Sequence, residues 1–109
     1  MTSSPNHHNV YVIELDRAVL KNKKFLDANP NMKKGAACLH VGMTGLTPEQ
    51  RFENHKRGHK PGRFAKNYGK RLVPELYEQY NPMSHEQAKA MEVKLAESLR
   101  KKGFGVWYN

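Results

Sequence analysis

Glu92 is the residue whose position most demands a chemical explanation. Ala88, Met91, Leu95 and Leu99 recur at helical spacing and define a buried stripe, and Glu92 falls inside it, one turn after Ala88 and one turn before Leu95 and Ala96. A carboxylate directed at a core is costly unless a cation, a metal ion or hydrogen-bond donors meet it. An internal ion pair with an arginine would satisfy it. So would a functional site, where perturbed carboxylates collect. Glu86 and Glu97 point away from the stripe and read as ordinary solvent charges. Arg51 and His55 stand one turn apart, so a helix would present both on one face. Tyr11 and His40 lie in separate apolar runs. Tyr11 reads equally well as a core aromatic with a satisfied hydroxyl. His40 can hydrogen-bond, or act as a base near neutral pH. A zinc site is a rival reading, because Cys38 and His40 alternate onto one strand face and His55 and His59 have zinc-ligand spacing. Gly58 and Pro61 count against a continuous helix through His59.

A second feature lies between Glu53 and Glu75, an interval without an acid. It holds Lys56, Arg57, Lys60, Arg63, Lys66, Lys70 and Arg71, with Phe64 and Tyr68 interleaved. Such cations neutralise phosphates and release counterions, and aromatic rings stack on bases. A solvated surface loop would have the same composition.

The elements that must position these groups are legible in outline. Val10 to Leu15 is β-branched and aromatic and reads as a strand, and about Ala37 to Met43 as a second. Thr47-Pro48-Glu49-Gln50 is a helix start with a capping box, and that helix ends near Gly58. Ser84-His85-Glu86-Gln87 opens a long helix through about Lys102, stopped by Gly103. Leu72 to Tyr80 suits an edge strand limited by Pro74, or a helix. Asp16 to Gly35 has no clear pattern, and Phe104, Val106 and Trp107 read as a final apolar anchor. Residues 1–9 are expected to be a flexible N-terminus and residues 10–109 a single domain.

Composition narrows the partners. The 109 residues carry 19 Lys and Arg against 10 Asp and Glu, a formal net charge of +9, which favours a polyanion. Cys38 is the single cysteine, so no internal disulfide forms, and a reducing, cytoplasmic setting is expected. No apolar run approaches the roughly 20 residues that span a bilayer. The glycines and Pro61 of the basic stretch argue against a membrane-surface helix.

Taken in order, these features resemble the GIY-YIG nuclease superfamily. Leu39-His40-Val41-Gly42-Met43-Thr44-Gly45 is similar to its second motif and the turn after it. Arg51-Phe52-Glu53-Asn54-His55 is similar to its arginine helix, and Ala88 to Leu95 to its glutamate helix. The chain departs from the pattern with Asn9 in place of the first motif's glycine, His40 in place of the second motif's tyrosine, and a long lysine-bearing interval between them. The resemblance implies an α+β fold, with a small antiparallel sheet of about three strands flanked by helices. It also implies hydrolysis of phosphodiester bonds with one divalent ion, Mg²⁺ or Mn²⁺, held by Glu92. Arg51 would brace the phosphate, Tyr11 would orient or deprotonate water, His55 would donate to the phosphate or position Tyr11, and His40 would hydrogen-bond or act as a base in the second motif's place. The partner is nucleic acid, with DNA expected ahead of RNA. A degenerate domain that binds without cutting is the alternative, and His40 is its marker.

Overall fold

The computed structural model describes residues 6–108. Its chain order is β1 (Asn9–Leu15), α1 (Lys23–Ala28), β2 (Cys38–Thr44), α2 (Pro48–Arg57), α3 (Ala65–Tyr68), β3 (Gly69–Leu72), α4 (His85–Lys101) and β4 (Gly105–Tyr108). The architecture is α+β: a four-stranded mixed sheet in the order β3-β1-β2-β4, with helices on both faces. Among the described residues no helix is long and apolar enough to cross a membrane.

β1 and β2 pair antiparallel, with Tyr11 opposite Gly42, Ile13 opposite His40 and Leu15 opposite Cys38. Nearly every residue in both strands is buried, because the sheet is covered on both sides. β3 pairs antiparallel with β1 through a register shift at Glu14/Leu15. Pro74 lacks an amide hydrogen and cannot extend the ladder. The segment that sequence left between strand and helix therefore closes in two 3-10 turns, Pro74–Leu76 and Glu78–Tyr80, with Tyr77 buried between them. On the same edge of β1, the Asn81 side-chain amide makes two bonds with the Val10 backbone, at 2.9 and 2.8 Å.

The expected α+β fold with a small helix-flanked sheet is present, and the sheet has one strand beyond the three antiparallel ones expected. The C-terminal segment is a strand and not merely an anchor, and it lies parallel to β2, with His40 opposite Trp107 and Val41 opposite Tyr108. The free edge of β2 would otherwise expose a row of backbone donors and acceptors. β4 closes it, because α4 carries the chain back to the end at which β2 starts.

The register sorts the side chains by face. Tyr11, Ile13, His40 and Trp107 share one face, where Phe64 meets Trp107 edge-on with ring centroids 5.0 Å apart. Val10, Val12, Val41 and Tyr108 share the other. That second face is covered by α4, whose Ala88, Leu95, Ala96 and Leu99 are buried and whose Arg100 lies over the Tyr108 ring at 5.4 Å.

Both long helices start at the capping boxes read from the sequence. Thr47 Oγ1 accepts from the Gln50 amide at 3.1 Å, Ser84 Oγ accepts from the Gln87 amide at 3.1 Å, and each glutamine reciprocates. α2 ends at Gly58, whose φ of 81° is the left-handed conformation that glycine adopts without strain. Ordered pairing begins before Val10, since His8 bridges to Met83 and Asn9 opens β1. Residues 1–5 of the expected flexible N-terminus lie outside the described residues. The unpatterned stretch after β1 holds a 3-10 turn, Arg17–Lys21, and α1, whose Phe25 is buried.

Candidate active site

Four of the five residues singled out for chemistry converge on one face of the sheet. β1 supplies Tyr11, β2 supplies His40, and α2 lays His55 against both, with ring centroids 5.9 Å from Tyr11 and 5.4 Å from His40. All three are buried, at 2%, 1% and 1% exposure. Arg51, one turn before His55, lies close enough for its guanidinium to act on the Tyr11 hydroxyl. Gly42 makes this packing possible. A Cβ there would stand 2.5 Å from the Tyr11 ring carbon Cζ, so only glycine lets the phenol lie across β2.

Hydrogen bonding fixes how the cluster is protonated. The Gly62 amide donates to His55 Nδ1 at 2.8 Å, so Nδ1 carries a lone pair. The proton of neutral His55 is therefore on Nε2, which donates to the Tyr11 oxygen at 2.9 Å. This leaves the Tyr11 hydroxyl hydrogen free to point elsewhere. Burial, with Arg51 nearby, pushes His55 down to about 4, so the neutral form holds at neutral pH. Burial raises Tyr11 to about 12; Arg51 opposes the rise and the Glu92 charge adds to it.

His40 differs from its neighbour. Neither Nδ1 nor Nε2 has a hydrogen-bond partner. Burial, then His55 and Arg51, depress it to about 3. The expectation of a base that ionises near neutral pH is thus corrected, because an imidazole buried among other cations and potential cations stays uncharged. Gly62 packs directly on this pair: a Cβ there would lie 2.9 Å from His40 Cε1 and 3.2 Å from His55 Cε1. Sequence reasoning passed over Gly62, since nothing in a glycine marks a backbone amide that will hold a histidine.

Glu92 enters from α4, the helix on the other face of the sheet, and only 7% of it is exposed. Its burial, foreseen from the helical stripe, raises its carboxyl to about 7, and no compensating cation offsets the rise. The ion pair with Arg51 that a purely structural role would need is not formed. Arg51 instead donates to the carbonyls of His59, at 3.3 Å, and Lys60, at 2.7 Å. Among the described residues no group of three or more His, Cys, Asp or Glu is placed to hold a metal ion, so Cys38, His40, His55 and His59 do not form the zinc cluster their spacing allowed.

The seven basic residues are all exposed but unequally committed. Lys56 donates to the carbonyls of Lys66 and Gly69 at 2.9 and 2.8 Å and pins α3 to α2. Arg57 bonds Asn54, and Arg71 pairs with Glu14 at 2.9 Å. Arg63 lies over the Trp107 ring at 5.9 Å. Lys60, Lys66 and Lys70 keep their ammonium groups out of any ion pair among the described residues. Lys60 and Arg63 belong to the loop that bonds Arg51 and His55, so the cationic surface adjoins the cluster.

No family model, curated protein or solved structure matches this chain. The geometry of the site is what any functional reading rests on.

Proposed function

We propose that the protein is a metal-dependent nuclease of GIY-YIG type that hydrolyses phosphodiester bonds, with DNA as the expected substrate. The observation that carries this reading is a buried, neutral Tyr11–His55 pair beside a guanidinium, with an unpaired buried carboxylate near enough for its charge to act on Tyr11. A fold gains no stability from such a carboxylate, whereas a site gains a ligand.

One carboxylate fits a hard divalent ion that takes its other ligands from water and phosphate oxygens. Glu92 is the residue that would hold Mg²⁺ or Mn²⁺, which when bound supplies positive charge to the departing oxygen. The chain's own groups do the rest. Arg51 turns from the loop carbonyls to a phosphoryl oxygen, where it offsets the charge that builds during attack. Tyr11 first loses its hydroxyl proton to solvent, and the resulting phenolate orients the attacking water and takes its proton. His55 Nε2–H and Arg51 both favour the phenolate needed for that step, against the burial that disfavours it. His40, neutral and with both nitrogens free, offers a hydrogen bond in the place where the resembled family has a tyrosine hydroxyl.

Plasmid nicking in Mg²⁺ or Mn²⁺ tests the reading. The wild-type chain should nick, Tyr11→Phe and Arg51→Ala should each lose on the order of a hundredfold or more in rate, and chelator should stop the reaction. Binding of DNA without nicking in either metal would make the protein a degenerate, binding-only domain.

A further inference from the structure

The face of α4 turned away from Glu92 carries a feature that cleavage does not use. At about 100° per residue, Lys94 and Lys101 lie roughly 160–180° round the helix from Glu92. Two grooves of about 810 and 440 Å³ run along this face and share Lys94. The larger is walled by the loop at Asn29–Lys33 and contains Lys33, Lys94, Arg100 and Lys101 against a single acid, Glu97. The smaller is walled by Tyr80, Pro82 and Met83 and is mainly apolar.

The lysines of this groove form no ion pair among the described residues, and Lys33 and Arg100 are held in place. Ion pairs among the described residues join Lys23 to Asp27 and Arg71 to Glu14, and Lys33, Lys94 and Lys101 take part in neither. Lys33 donates its amide to the Gly103 carbonyl at 2.9 Å, and its side-chain stem lies over Gly103, where a Cβ would collide with it. Arg100 is fixed by Asn29 at 3.1 Å and Val106 at 2.6 Å. Concave charge of this kind, four cations against one acid, attracts a polyanion more strongly than scattered surface lysines do. At the other end Tyr80 is 39% exposed, the one aromatic ring among the large exposed hydrophobics of the described residues. From Gln87 to Lys101 the helix rises about 21 Å, which suits the short end of single-strand site sizes, about four nucleotides.

We infer that this face is a second nucleic-acid surface, which holds a single-stranded segment with phosphates on Lys33, Lys94 and Lys101 and a base stacked on Tyr80. The inference rests on nucleic acid being the ligand but not on cleavage. None of its four residues lies in the 56–71 basic stretch or in the cluster around Tyr11. It sits on the other side of the sheet from His55, so the protein grips two segments of one substrate, or two strands, at once.

The test is fluorescence anisotropy with a labelled oligothymidylate of about twelve nucleotides, long enough to cover a short single-strand site. Lys33→Ala/Lys94→Ala/Lys101→Ala should weaken binding at least about tenfold and lower the log–log salt slope by about two units, at ~0.7 per phosphate. Tyr80→Ala should weaken it several-fold and Tyr80→Phe should not, since stacking needs the ring and not the hydroxyl. Melting curves serve as the fold control, and Lys94→Glu gives a single-site version. Unchanged affinity in the triple variant overturns the inference. So does equal competition by polyglutamate, or lysine-dependent capture by vesicles of phosphatidylserine, because the partner would then be an acidic peptide or a membrane. A wild-type chain that binds no oligonucleotide removes the nucleic-acid reading altogether, a result distinct from failure at this face alone.

Discussion

The Tyr11 cluster and the basic segment beside it handle polar groups in opposite ways. In and beside the cluster, groups that prefer water are buried: His40 has no hydrogen-bond partner, and Glu92, whose charge reaches Tyr11, has no counter-charge. In the basic segment every cation is exposed, yet three of the seven are tied to nearby acceptors. Unsatisfied burial is the more informative of the two, because it works against stability and persists only where the surrounding fold imposes it. Exposed charge costs the fold almost nothing, so its presence alone decides little.

Glu92→Gln should break that contrast most visibly. In the nicking assay it should lose on the order of a hundred- to a thousandfold in rate. With no cation partner to strand, the same change should stabilise the fold. A folded-state carboxyl raised to about 7 contributes stability that is complete below its unfolded value near 4.5 and is lost as pH rises through 7. At pH 8 in chelator, Glu92→Gln should therefore gain up to about 3 kcal/mol, at ~1.4 kcal/mol per unit, and at pH 4 it should gain almost nothing. Urea melts at the two pH values measure this. A large destabilisation at pH 8 would restore the structural ion pair.

Gly62→Ala comes next. The added methyl group meets both imidazoles and should cost about 1–3 kcal/mol, the usual range for overpacking. The pH dependence of the histidines runs opposite to that of Glu92. Their folded values, about 3 and about 4, lie below the unfolded 6.5. The stability they contribute is present above pH 6.5 and is lost as pH falls through 4 and 3. Acid titration of His40→Phe should show a weaker loss over that window, followed by circular dichroism.

The smallest effects should separate the cations by what they already hold. Lys56→Ala removes the tie between α2 and α3 and should cost about 1 kcal/mol. Lys70→Ala should alter stability by less than about 0.5 kcal/mol, yet lower the salt slope for duplex binding by ~0.9. If the two variants behave alike in both assays, the partition seen in the hydrogen bonds has no energetic meaning.

The sequence by itself determined the parts governed by local chemistry. Thr47 and Ser84 with their glutamines placed both helix starts, Gly58 and Gly103 marked where they end, and a β-branched run placed β1. The 3.6-residue repeat alone required Glu92 to be buried, since a stripe of Ala88, Leu95 and Leu99 leaves no other orientation. Tertiary structure decided whatever depends on residues far apart in the chain. The parallel pairing of β4 with β2 needed the crossover of α4, and no short-range pattern encodes the direction in which a returning strand docks. The His55 tautomer was set by the Gly62 amide, a backbone group that every residue except proline possesses and that only the loop's path brings to Nδ1. The fate of Arg51, bound to loop carbonyls and not to Glu92, was likewise out of reach. Sequence supplies a charge and its possible partners, but distance chooses among them, and distance exists only in the folded chain.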